Sequence, residues 1–136
     1  SERGGVTVVN DAYNANPQSM RAVLSTFMQM PCGGRRIAVL GDMLELGAHA
    51  ESLHRELGRV VAALAPDEVI GVGQDTSRYV ADEAVKCGYP AVRVTCCADA
   101  AAAAAAMRGR VRTGDSVLLK ASRGMRLEQV LDAWTL

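Results

Sequence analysis

Val6-Thr7-Val8-Val9-Asn10-Asp11-Ala12-Tyr13-Asn14-Ala15-Asn16-Pro17 passes from a β-branched apolar run, through a polar loop, to a proline suited to the first turn of a helix. Met20, Val23, Leu24, Phe27 and Met28 follow at i, i+3, i+4, i+7 and i+8, the spacing of one apolar helix face. The segment therefore reads as strand, loop and helix, with Asn16 as the helix cap.

The same unit recurs along the chain. Near-continuous apolar runs stand at Val6–Val9, Ile37–Leu40, Val69–Val72, Val92–Thr95 and Val117–Leu119. Runs without polar alternation suit strands covered on both faces, as in a parallel sheet. Between them lie helical patterns. Leu53, Leu57, Val60, Val61 and Leu64 form one stripe, closed by Pro66. Asp75 is expected to cap a third helix that Gly88 stops, and Asp99 a fourth that is mostly alanine. Leu127, Val130, Leu131 and Trp134 mark the last. Repeated strand–helix alternation predicts a Rossmann-like, doubly wound α/β fold: a mostly parallel sheet of five or six strands with helices on both faces. No linker or internal repeat interrupts it, so residues 1–136 read as a single domain.

Composition narrows the function. Apolar residues make up 49% and charged residues 22%, enough for a core and against disorder. Basic and acidic residues balance at 15 each, which argues against nucleic acid or an anionic membrane as the main partner. Aromatics at 4% leave little for base stacking. Cys32, Cys87, Cys96 and Cys97 lack zinc-site spacing, so no metal site is expected; adjacent Cys96 and Cys97 read as buried, reduced thiols of a cytosolic protein. The start, Ser1-Glu2-Arg3-Gly4-Gly5, has no apolar signal segment, and the Ala100–Met107 run is too short to span a bilayer. A cytoplasmic, soluble protein is expected.

Doubly wound sheets bind ligands at the carboxyl ends of their strands, so function is sought in the loops there. After the first run, Asp11, Tyr13, Asn14 and Asn16 can make directed hydrogen bonds, and Asp11 can accept two ribose hydroxyls. Asn16 is also fully explained as a cap. After the second, Gly41 and Gly47 bracket Asp42 and Glu45, which suit either a site or a turn with a capped helical piece. His54 follows beside an apolar stripe, where packing competes with catalysis. Gly71-Val72-Gly73 lacks the third glycine of a dinucleotide fingerprint and reads as a tight turn. After the fifth run, Lys120, Ser122 and Arg123 could form a pocket for carboxylate or phosphate, although Ser122 could instead cap the last helix. Lys120 stands out because only two of the 15 basic residues are lysine, the other being Lys86. The chain has no Gly-Lys pair and hence no P-loop.

Four segments now point to a family: residues 11–17 with Ser19-Met20-Arg21-Ala22, then residues 36–47, Leu53-His54, and residues 118–125. Together they resemble the third domain of a Mur ligase, most like the member that joins D-alanyl-D-alanine to UDP-N-acetylmuramoyl-tripeptide. The resemblance implies a C-terminal Rossmann-like domain whose N-terminal and central ATPase domains lie outside this chain. It also implies ATP and Mg2+ bound mainly by that central domain, an acyl-phosphate route, and a monomeric enzyme of peptidoglycan synthesis whose third domain alone is inactive. Asp11 would take the ATP ribose and Tyr13 the nucleotide; Asn14 and Asn16 would face nucleotide or peptide. Lys120 would be the catalytic residue, with Ser122 and Arg123 on the substrate. The family usually has an acid at Asn10 and a glycine at Ala121, which puts the local geometry in question. A phosphoacceptor receiver domain, using Asp11 and Lys120, and a self-standing nucleotide-binding module remain as alternatives.

Overall fold

Val6 and Val8, fully covered, anchor a strand that runs on through Asp11, beyond the apolar run itself. A computed structural model of the chain describes residues 2–12 and 16–134. In chain order it has β1 (Glu2–Arg3), β2 (Val6–Asp11), α1 (Pro17–Gln29), β3 (Arg36–Gly41), α2 (Ala50–Leu64) and β4 (Glu68–Val72). Then follow α3 (Ala81–Lys86), β5 (Val94–Cys97), α4 (Ala100–Arg110), β6 (Ser116–Lys120) and α5 (Gln129–Ala133). The sheet order is β1-β2-β6-β3-β4-β5, antiparallel only at β1.

The predicted doubly wound architecture is therefore present, with two differences at the sheet edges. β1 has no apolar run, and a turn through Gly4 and Gly5, both at positive φ, folds it onto β2. The fourth parallel strand starts two residues later than its apolar run. Val92 lies in a 3₁₀ turn, Ala91–Arg93, and is 89% exposed. β5 is an edge strand paired only with β4, so it escapes two-sided burial. Accordingly Cys97 is buried while Cys96 is exposed, against the expectation that both are covered.

Strand alternation separates two cores. Val8, Val39, Val72, Val117 and Leu119 face α4 and α5, where Ala103, Ala104, Met107, Val130 and Trp134 pack. Ala38, Leu40, Val69 and Leu118 face the other side, against Met20, Leu24 and Phe27 of α1, Leu57 and Val61 of α2, and Ala84 of α3. The alanines of α4 let that helix sit close to the sheet, while the wider stripe of α1 fills the opposite layer. Among the described residues no helix is long and apolar enough to cross a membrane.

Caps show where local reading held. Asn16 accepts the Ser19 N–H at 2.9 Å while Ser19 Oγ accepts the Asn16 N–H, a complete capping box. Asp99 caps α4 through the Ala102 N–H at 2.9 Å, and Gly88, at φ +101°, ends α3. Asp75 is a correction: its backbone is already helical and its side chain makes no cap bond. The cap comes from Asp42, at the end of a different strand. Its carboxylate accepts the Thr76 N–H and hydroxyl, each at 2.7 Å, and the Asp75 N–H at 3.3 Å. The helix then runs through a π turn, Thr76–Val80, into α3.

Candidate functional site

β6 lies between β2 and β3, and the chain leaves these strands in opposite senses. It turns from β2 and β3 into α1 and α2 on one face, but from β6 toward α5 on the other. This reversal marks the topological switch point of the sheet, and the carboxyl ends of the strands there are the usual ligand position in such folds. Asp11 and Lys120 end β2 and β6 and are register partners across the ladder. Lys120 Nζ donates to Asp11 Oδ2 at 2.7 Å. The two groups differ in exposure: the Lys120 side chain is 3% exposed and that of Asp11 41%. A buried ammonium is costly unless paired, so Asp11 provides the charge that lets Lys120 sit there. The Asp11 carboxylate itself stays half exposed, with acceptor capacity beyond the bond to Lys120.

The flanking loops are tied to one another. Asn10 Oδ1 accepts the Ala12 N–H at 3.3 Å, a turn that an aspartate oxygen would close equally well. The Ala121 methyl is buried and faces Gly41, where an added Cβ would come within 2.5 Å of it. The missing side chain of Gly41 is thus what accommodates Ala121. Ser122 does not cap a helix with its side chain. Its Oγ instead accepts the Leu44 N–H at 2.8 Å, and its own N–H donates to the Asp42 carbonyl at 3.2 Å. The loops after β3 and β6 are thereby joined. Arg123, in the 3₁₀ turn Arg123–Met125, is exposed. Tyr13 and Asn14 lie outside the described residues.

Of the expected site residues, then, the structure pairs Asp11 with Lys120, commits the Asn16 oxygen to its cap, and links Ser122 to the loop after β3. Asp42 resolves as a cap rather than a free acid, and Gly73 as the tight turn beside it. With φ +104°, Gly73 has a Cβ position only 2.5 Å from the Asp42 carboxylate, so only glycine fits there. His54 is fully buried between Met43 and Ala50; the sequence marked it only as a histidine beside an apolar stripe. Burial holds the Cys97 thiol above its ordinary pKa, which disfavours a thiolate nucleophile. Among the described residues no three His, Cys, Asp or Glu gather as a metal site. The described residues thus hold no such gathered set for magnesium.

A doubly wound sheet with an acid–lysine pair at its switch point places the chain among Rossmann-like α/β domains. The comparisons make that class particular. The family described as Mur ligase, glutamate ligase domain, matches residues 1–123, and the chain belongs to it. UDP-N-acetylmuramoyl-tripeptide–D-alanyl-D-alanine ligase of Bacillus subtilis is 36% identical over 93% of this chain and 27% of its own length. The protein of the same name in Mycobacterium tuberculosis is 41% identical over 95% of this chain and 28% of its own. The crystal structure of MurF ligase from Thermotoga maritima in complex with ADP superposes with a TM-score of 0.79 at 29% identity, covering 98% of this chain and 29% of that one. The chain thus spans little more than a quarter of the curated relatives it matches. The family assignment displaces the receiver-domain reading.

Proposed function

We propose that this chain is the C-terminal domain of an ATP-dependent ligase that adds D-alanyl-D-alanine to UDP-N-acetylmuramoyl-tripeptide in peptidoglycan synthesis. Two relatives that carry that name align with nearly all of the chain, and a MurF relative was crystallised with ADP. In this reading the N-terminal and central domains belong to the rest of a monomeric, cytoplasmic enzyme. The central domain holds ATP and Mg2+ and activates the tripeptide carboxylate as an acyl phosphate, which the dipeptide amine attacks. The present domain closes over the nucleotide and positions the dipeptide.

The Asp11–Lys120 pair at the switch point carries the proposal. Asp11 accepts hydrogen bonds from the ribose hydroxyls through the exposed part of its carboxylate. Lys120, expected as the catalytic residue, works in this geometry through Asp11: a side chain 3% exposed and bonded to Oδ2 orients the carboxylate rather than touching substrate. Tyr13 serves the nucleotide, and Asn14 and Asn16 serve nucleotide or peptide. The exposed Arg123 guanidinium offers paired donors to a carboxylate or phosphate, with Ser122 fixing the turn that bears it.

The test is made in the full-length enzyme. Asp11→Ala and Arg123→Ala are each expected to lower kcat/KM by about 10²-fold, the loss of roughly 2.7 kcal/mol of binding energy in the transition state. Wild-type rates for both variants overturn the site assignment. The isolated chain is expected to bind ATP weakly and to release no ADP; tight binding would favour a self-standing nucleotide module instead.

A further inference from the structure

Residues 42–46 form neither helix nor strand, yet they lie beside the strand-end site between β3 and α2. Their backbone amides therefore need partners from elsewhere. The Met43 N–H, buried, donates to His54 Nε2 at 3.0 Å, and the Leu44 N–H donates to Ser122 Oγ at 2.8 Å. His54 stands in the first turns of α2, with Nδ1 2.7 Å from the Ala50 carbonyl. A carbonyl only accepts, so Nδ1 carries the proton and Nε2 presents its lone pair to Met43. The histidine is completely buried. Leu44 also packs against Gly124, where an added Cβ would lie 2.7 Å from Leu44 Cδ1. A shift of this loop therefore reaches the turn that carries Arg123.

We propose that His54 is a positioning residue for the strand-end site. Its Nε2 lone pair holds Met43, adjacent Leu44 holds Ser122, and Ser122 sets the turn that presents Arg123 to the incoming dipeptide. An apolar side chain at position 54 leaves the Met43 N–H without a partner in a dry interior. The loop then shifts to satisfy it, taking the Leu44–Ser122 bond with it. The last link, to the dipeptide, rests on the function proposed above; the links from His54 to Ser122 do not.

Two measurements separate these levels. In the present chain, amide exchange of Met43 and Leu44 is followed by NMR in the wild type, His54→Leu and His54→Gln. His54→Leu is expected to speed exchange at both amides by about tenfold or more, and His54→Gln, whose amide oxygen reaches the same position, to restore most of the protection. Faster exchange at Met43 with Leu44 unchanged would overturn the coupling. In the full-length ligase, His54→Leu and Ser122→Ala should each raise KM for D-alanyl-D-alanine about tenfold while leaving KM for ATP within about twofold, and the double variant should be no worse than the worse single one. Additive effects, or an unchanged dipeptide KM beside an active wild type, would also overturn the proposal. Ser122→Ala probes the far end of the same chain of bonds, so the test survives if His54→Leu folds poorly. A wild-type enzyme that ligates no dipeptide would refute the proposed function, while the exchange data would still judge the link from His54 to Ser122.

Discussion

Replacing either member of the Asp11–Lys120 pair removes the same 2.7 Å ion pair, yet the two substitutions should differ sharply in cost. At an effective dielectric near 20, two unit charges at this separation attract by about 6 kcal/mol before desolvation is subtracted. Asp11→Ala leaves the Lys120 ammonium in place with its side chain 3% exposed, so its lost hydration is no longer compensated by the carboxylate. Breaking a buried pair from one side in this way costs about 3–5 kcal/mol; the 41% exposure of Asp11 puts the expectation near the lower end. Lys120→Met removes the buried charge itself and keeps an unbranched apolar stem, while Asp11 returns to water. Its cost should lie within about 1 kcal/mol of zero. Urea unfolding of the chain, followed by circular dichroism at constant m-value, reads the difference directly. In thermal melts the same costs correspond to a drop of roughly 10 °C for Asp11→Ala, against a few degrees at most for Lys120→Met. The double variant should match Lys120→Met alone, because the buried ammonium is then absent. If Lys120→Met costs as much as Asp11→Ala, the pair is not what makes the buried ammonium tolerable.

Gly73→Ala should destabilise the domain by about 2–4 kcal/mol, since it forces a side chain to φ +104° and drives its Cβ into the Asp42 carboxylate; Gly88→Ala, at φ +101° with open space around it, should cost only about 1 kcal/mol. Equal losses in denaturant melts would mean that the Asp42 contact is immaterial. Tyr89, whose hydroxyl donates to the Pro66 carbonyl at 2.6 Å in the interior, is pushed up to about 12 by burial. The folded state then holds this proton more tightly than the unfolded chain, so the contribution is intact below about pH 10 and is lost as pH rises from there toward 12, by up to roughly 2–3 kcal/mol. Melts at pH 9 and 11.5 should show a smaller alkaline loss in Tyr89→Phe than in the wild type; parallel losses would refute this.

Much of the architecture was legible because it is written in local chemistry. Continuous apolar runs such as Ile37–Leu40 suit strands whose sheet is covered by helices on both faces. The Asn16 and Asp99 caps likewise depend on partners only three residues away. The same reasoning misplaced β5 and overlooked β1, because edge strands need no two-sided apolar pattern and Glu2–Arg3 has none.

Asp75 and Asp42 mark the boundary between the two kinds of information. Each acid could cap a helix by its residue type, but which one does so depends on β3 and β4 lying side by side, with Gly73 leaving room for the carboxylate. Sequence alone brought Asp11 and Lys120 to notice, one as a loop acid and the other as one of only two lysines. Only the tertiary structure joined them across 109 positions, by placing β6 next to β2, and buried the lysine while leaving the acid half open. Residue type determines which bonds a side chain can make, and the sheet order decides which partner is within reach.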